Sequence, residues 1–254
     1  MGSRGSAWTW SAHWNRRSVS EPNAAKRVLY YGRRKGKPLS AARSDVVTRL
    51  LPVLKIERPA ENQSIDPAAL FSPTTKEFWL EVGFGAGEHL AGQAAANPNV
   101  GIIGAEVFLN GVASLVRYID ERGLNNVRVF NDDVRFLLRA LPDQCLSRAF
   151  VLFPDPWPKT RHAKRRFIGP ENLPQLARLM REGAELRVAS DHPVYVQWTL
   201  EQVTNNPFFK WDVRGPEDWL SPPPDHITTR YQKKAVLEGR QPHFFRLFRT
   251  ARRA

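Results

Sequence analysis

Between Lys76 and Val203 short apolar runs alternate with longer amphipathic segments, and no other feature of the chain narrows the fold so far. "EFWLEV" (77–82) reads as a buried strand, Glu88–Ala96 as a helix, "VGIIGAEV" (100–107) as a strand and Leu109–Arg122 as a helix. "VRVF" (127–130), Val134–Ala140, "RAFVLF" (148–153), Glu171–Arg181, "AELRVAS" (184–190) and Val194–Val203 continue the strand–helix order. Units of about 25 residues leave room for a helix to cross over and return each strand parallel to the last. Beyond Val203 the pattern changes to "FFKWDV", a Pro-rich "SPPPD" and "HFFRLFR", which predict a closing antiparallel pair. The expected class is α/β: a doubly wound, mostly parallel seven-stranded sheet with an antiparallel edge pair near the C-terminus.

Residues 1–44 lack clear periodicity and end in the Gly- and Pro-broken arm "YGRRKGKPLSAARS". A basic, flexible extension is expected there, with Trp8, Trp10 and Trp14 unstructured. A single domain over 45–254 then opens on a short helix, "DVVTRLLPVLKI". The formal net charge is +13, and residues 1–50 hold eleven Lys or Arg against Glu21 and Asp45. Further basic clusters lie at 159–166 and from Arg230 to Arg253. Such a balance favours a polyanionic partner, because Lys and Arg release counterions from phosphates. The single cysteine, Cys145, excludes an internal disulfide and a Cys-rich zinc site, and the six histidines do not group at ligand spacing, so no metal is expected. No run approaches the roughly 18 apolar residues of a membrane span. The N-terminus lacks the apolar core of a secretory signal, although Arg4, Arg16 and Arg17 before Glu21 give it a faint transit-peptide character. A cytoplasmic protein, monomeric or homodimeric and without an obligatory protein partner, is expected.

"LEVGFGAGEHL" sets Glu81 and then Gly83, Gly85 and Gly87 at the end of the first strand, running into a helix. Ligands of open α/β sheets sit at the carboxyl ends of strands, and glycines there let them approach the backbone. A dinucleotide turn would read GxGxxG, but here the third glycine comes one residue early and Glu88 follows it. Negative charge in the first helical turn suits a cationic or neutral ligand better than a pyrophosphate. Glu106 ends the second strand, where an acid accepts from ribose hydroxyls, and Asp132 and Asp133 follow the third, placed for an adenine edge or as helix N-caps. The set fits S-adenosylmethionine, which is positive at its sulfonium and amino groups and has no phosphate.

"FPDPWPKTRHAKRRF" places Asp155 after the fourth strand, so it faces the same crevice. Pro154, Pro156 and Pro158 fix three φ angles and restrict the residues before them, which should hold Asp155 and Trp157 with little freedom. Held reactants matter in methyl transfer, since orientation can contribute roughly 7 to 11 kcal/mol. A nucleobase beside Trp157, with its phosphates on Lys159, Arg161, Lys164, Arg165 and Arg166, matches the way unpaired nucleotides are gripped.

These motifs together resemble the bacterial tRNA (guanine-N(7)-)-methyltransferases, class I enzymes dependent on S-adenosylmethionine, over about residues 30–250. The resemblance implies a Rossmann-like methyltransferase domain that methylates nitrogen 7 of a guanine in tRNA, in the variable loop region, to give 7-methylguanosine. It implies that Glu81, Gly83, Gly85, Glu106, Asp132 or Asp133, and Asp155 bind S-adenosylmethionine and that Asp155 is catalytic. Lys159 and Asp191 would bind the target nucleotide, and Arg161, His162, Ala163, Lys164, Arg165 and Arg166 the RNA. "TRYQ" (Thr229, Arg230, Tyr231, Gln232) matches a late substrate motif that usually ends in Glu, so Gln232 departs from the family by keeping an acceptor oxygen and losing a charge.

Other readings compete. An amino-methyltransferase acting on adenine or cytosine would carry a D/N-P-P-aromatic turn, whereas this chain has one proline between Asp155 and Trp157. A nicotinamide-dependent oxidoreductase is opposed by the early third glycine. A non-catalytic RNA-binding protein on the same fold is supported only by Gln232.

Overall fold

The computed structural model describes residues 34, 36–204 and 206–251, so the expected extension lies mostly outside the described residues, Trp8, Trp10 and Trp14 included. Seven strands form one sheet in the order β3-β2-β1-β4-β5-β7-β6. They are β1 (Glu77–Val82), β2 (Val100–Ala105), β3 (Val127–Phe130), β4 (Leu146–Leu152), β5 (Met180–Ser190), β6 (Phe209–Trp211) and β7 (His243–Arg249). β1 to β5 are parallel, and β7 runs antiparallel between β5 and β6. The strand order reverses between β1 and β4, whose ends are level: Val82 is paired with Val151. A doubly wound sheet opens its ligand crevice at this switch point.

Helices cover both faces. α1 (Ala41–Leu54), α2 (Glu88–Ala96) and α3 (Leu109–Arg122) close one side over Trp79, Leu90, Ile102 and Val129. On the other side α4 (Val134–Ala140), α5 (Leu173–Leu179) and α6 (Pro193–Val203) bury Leu80, Ala149, Leu186 and Phe245. Local chemistry sets the ends of these helices. Asp133 accepts from Arg135 N at 2.9 Å as the cap of α4, and Pro193 occupies the first turn of α6, where its missing N–H costs nothing.

The expected strands and helices are found, several with shifted ends. α1 begins at Ala41 rather than Asp45. The helix expected over 171–181 is shorter, because Met180 already enters β5. Two short helices, α7 (Glu217–Leu220) and α8 (Arg230–Leu237), flank the Pro-rich "SPPPD" in stretches for which the sequence pattern predicts no element.

One face of β4, β5 and β7 carries Arg148, Glu185, Arg187 and Arg246 in adjacent register, interleaved with Phe150, Phe244 and Phe248. The loop before α8 covers it. Asp225 accepts from Arg187 Nη1 at 2.7 Å and Arg148 Nη1 at 3.0 Å, while Glu185 pairs with Arg187 at 2.9 Å and Arg246 at 2.6 Å. Burial alone would raise the Glu185 carboxyl, but hydrogen bonds from Arg187 and Arg246 outweigh it and hold the group below its ordinary value. This ion cluster fixes the segment that leads into α8 and so sets α8 against the crevice. Among the described residues no helix is long and apolar enough to cross a membrane.

Candidate active site

The glycine turn closes β1 with Gly83, Gly85 and Gly87 all at positive φ (68°, 58° and 81°), a region that costs other residues roughly 1–2 kcal/mol each. The three differ in what surrounds them. A side chain on Gly87 would strike Leu115 at 2.8 Å, and one on Gly85 would meet the Tyr231 ring at 3.0 Å. At Gly83 nothing lies within 4 Å, so its open side is free for a ligand. Gly111 serves the same turn from α3, since a Cβ there would sit 2.1 Å from Gly85 O.

Glu81 is buried at 3% exposure, with Oε2 2.8 Å from His89 Nδ1. Glu106, directly after β2, accepts from Gly85 N and Phe108 N, each at 2.9 Å. Burial raises the Glu106 carboxyl above its ordinary value, these backbone bonds pull it down, and the charge of Asp155 pushes it up again. β2, β1 and β4 lie side by side with their carboxyl ends level, Val82 being paired with both Ala105 and Val151, so Glu106, the glycine turn and the segment carrying Asp155 leave the same edge of the sheet. Asp132 and Asp133 are both engaged: Asp132 accepts from Asp133 N at 2.7 Å and lies 3.7 Å from Arg58, while Asp133 caps α4 and pairs with Arg135.

The proline turn departs from expectation in its backbone. Phe153 and Trp157 each precede a proline and should be extended, yet both are left-handed, at φ 50° and 42°. Arg166 supplies the support, donating from Nε to Pro156 O at 3.1 Å and from Nη2 to Trp157 O at 3.0 Å, with its guanidinium over Trp198. Of the residues grouped as an RNA-binding run, Arg166 is thus buried inside the turn. Lys159, Arg161 and Lys164 are exposed on or beside the 3-10 turn Thr160–Arg165. His162 is edge-on to Trp157 and is held below its ordinary value by local desolvation and then by Arg165, Arg161 and Lys159; Ala163 takes the Arg166 N–H, and Arg165 lies over the Trp157 ring at 4.8 Å. Exposed Asp155 stands at the tip of this strained turn.

Asp191 follows β5 and pairs with Arg240 at 2.6 Å. Thr229 caps α8 by accepting from Gln232 N at 3.2 Å, Arg230 lies 3.3 Å from Glu88, and Tyr231 stands over Gly85 at 51% exposure. The late motif is thereby brought to the glycine turn, far away in sequence. Gln232 turns inward, with Oε1 2.6 Å from His226 Nε2. The six histidines show no ligand spacing along the sequence. The His89 and His226 rings nevertheless lie 5.4 Å apart, between Glu81 and Gln232. The T-x-x-Q spacing of Thr229 and Gln232 is a capping-box signal that could have revealed α8. Among the described residues no group of three or more His, Cys, Asp or Glu could hold a metal ion.

Residues 75–245 match a family described as "Putative methyltransferase". The chain is 52% identical over 227 residues to a tRNA (guanine-N(7)-)-methyltransferase of Rhodospirillum rubrum, covering 89% of each. It is 50% identical over 230 residues to the protein of that name from Paramagnetospirillum magneticum, covering 90% of this chain and 96% of that one. A solved rRNA methylase from Streptococcus thermophilus is similar at a TM-score of 0.48 with 12% identity, over 70% of this chain and 89% of that one, a likeness too distant to bear on the site.

Proposed function

The chain belongs to the tRNA (guanine-N(7)-)-methyltransferase family, and from that premise we propose that its crevice holds S-adenosylmethionine beside a guanine of tRNA and methylates nitrogen 7. The observation that carries this is the level carboxyl ends of β2, β1 and β4, from which Glu106, the glycine turn and the Asp155 segment emerge side by side.

The donor set fits the cofactor. Glu81 Oε1 has no protein partner among the described residues and suits an ammonium; Glu106 suits ribose hydroxyls; the bare flank of Gly83 admits close approach. When bound, S-adenosylmethionine supplies an electrophilic methyl group on a sulfonium. Nitrogen 7 of guanine has a free lone pair, so no proton need be removed first and the methylated base is cationic. The acids of the crevice therefore act by orientation and by offsetting positive charge rather than as general bases. Asp155 is the residue placed to do both, held at the tip of a turn whose backbone Arg166 fixes.

Lys159, Arg161 and Lys164 would take phosphates flanking the target, supplying the few kcal/mol needed to unstack a base. Asp191 would contact the nucleotide once Arg240 releases it, and Tyr231 and Arg230 would border the base from α8. We assign the variable loop as the target region, residues 1–44 as a basic extension ahead of a domain at 45–254, no metal, and the cytoplasm as the location.

Incubation of an unmodified tRNA transcript with methyl-labelled S-adenosylmethionine, followed by nucleoside analysis and mapping, tests the reading. Labelled 7-methylguanosine at one position is expected. Labelled methyladenosine or methylcytidine, or ordinary tRNA binding without transfer, would refute it.

A further inference from the structure

Glu81 cannot by itself fix how its carboxylate faces the crevice, and the surrounding hydrogen bonds show what does. His89, 1% exposed, projects from α2 with Nδ1 2.8 Å from Glu81 Oε2. On the far side of the ring, Nε2 lies 3.4 Å from Gln93 Nε2. The Gln93 amide is oriented by independent contacts: Nε2 is 2.6 Å from the Asp225 carbonyl, which can only accept, and Oε1 is 3.4 Å from Asn97 Nδ2. Gln93 Nε2 therefore presents a donor to His89 Nε2, so His89 Nε2 accepts and the ring proton sits on Nδ1. That proton is donated to Glu81. Phe150 (4.8 Å, edge-on) and His226 (5.4 Å) wedge the ring in place, and Gln232 holds His226 in turn.

We propose that His89 is a positioning residue: its Nδ1–H holds one oxygen of Glu81 and aims the other at the cationic amino group of the methyl donor, with Gln93 selecting the tautomer. The proposal rests on the assignment of Glu81 to that cofactor. One carboxylate held by a neutral imidazole leaves the pocket a net negative charge, the complement of an ammonium. A hydrogen bond to a charged group is strong enough that its loss should weaken binding by roughly ten- to a hundredfold.

Two measurements on the full chain test this. Nitrogen-15 NMR of the cofactor-free protein should show His89 neutral and protonated at Nδ1; protonation at Nε2 instead would overturn the proposal without any reference to activity. Calorimetric titration with S-adenosylhomocysteine, which keeps the amino group, should show H89L binding roughly ten- to a hundredfold more weakly and H89N, whose amide nitrogen can stand near the Nδ1 position, close to wild type. The Michaelis constant for tRNA should not change in either. Equal weakening in H89L and H89N would reduce His89 to a packing residue. Should E81Q bind like wild type, the Glu81 assignment itself fails; should E81Q weaken binding while H89L does not, only the role of His89 fails.

Discussion

Gly85 shows how narrowly a single residue can be constrained at this site. Its φ of 58° favours glycine, its missing side chain leaves room for Tyr231, and its carbonyl is approached closely by Gly111, which likewise lacks a side chain. G85V should lose roughly 1–2 kcal/mol of stability to the left-handed backbone and, by altering the turn that receives the cofactor, weaken S-adenosylhomocysteine binding at least tenfold. G123A is the control: Gly123 has φ 60° with nothing within 4 Å of an added Cβ, so it carries the same backbone cost away from the crevice. Calorimetry on the two variants should show comparable stability losses but reduced affinity only in G85V. Comparable affinities would mean that the Gly85 turn does not border the bound cofactor.

At the scale of elements, the proline turn and the basic 3-10 segment divide labour in a way their sequence conceals. "KRRF" reads as uniform positive charge, yet Arg166 is buried against the Pro156 and Trp157 carbonyls while Lys164 faces solvent. R166M should therefore lower the transfer rate at saturating substrates by at least tenfold and leave the salt dependence of tRNA binding unchanged. R161A and K164A should each reduce the slope of log affinity against log salt by about one or less. Filter binding across a salt series, alongside single-turnover rates, separates the two behaviours. The first four strands and the crevice between β1 and β4 were legible because apolar runs and glycine punctuation are local signals. Arg166 was not, because its partners depend on a backbone that turns left-handed before two prolines. Nor was the meeting of His89, His226 and α8, since it depends on the ion cluster that seats the Asp225 loop on β5.

For the whole molecule, burial of polar groups on the α8 side of the sheet makes stability depend on pH in two separable windows. His226 is pushed down to about 4 from 6.5, chiefly by desolvation, which outweighs the opposing hydrogen bond with Gln232, with the Arg187 charge adding to it. The unfolded chain takes up this proton near the ordinary value while the folded chain refuses it, so stability falls as pH drops from about 6.5 to about 4 and is insensitive to His226 below that. Glu185 and Asp225, held below their ordinary values, contribute stability that is present above the ordinary carboxylate range and is lost as pH falls through their lower folded values. Denaturant titrations across pH should show a shallower decline between 6.5 and 4 in H226N than in wild type; identical curves would show that His226 is protonated normally in the fold.

The account as a whole stands on Asp155 sharing a crevice with the cofactor turn and acting there on the base rather than on the RNA backbone. Single-turnover methyl transfer and tRNA binding, measured together on D155A, address this directly. The prediction is a loss of transfer of at least a hundredfold, in line with removal of an electrostatic stabiliser, with the tRNA dissociation constant within about twofold of wild type. Transfer at the wild-type rate, or a loss explained entirely by weaker tRNA binding, would contradict it.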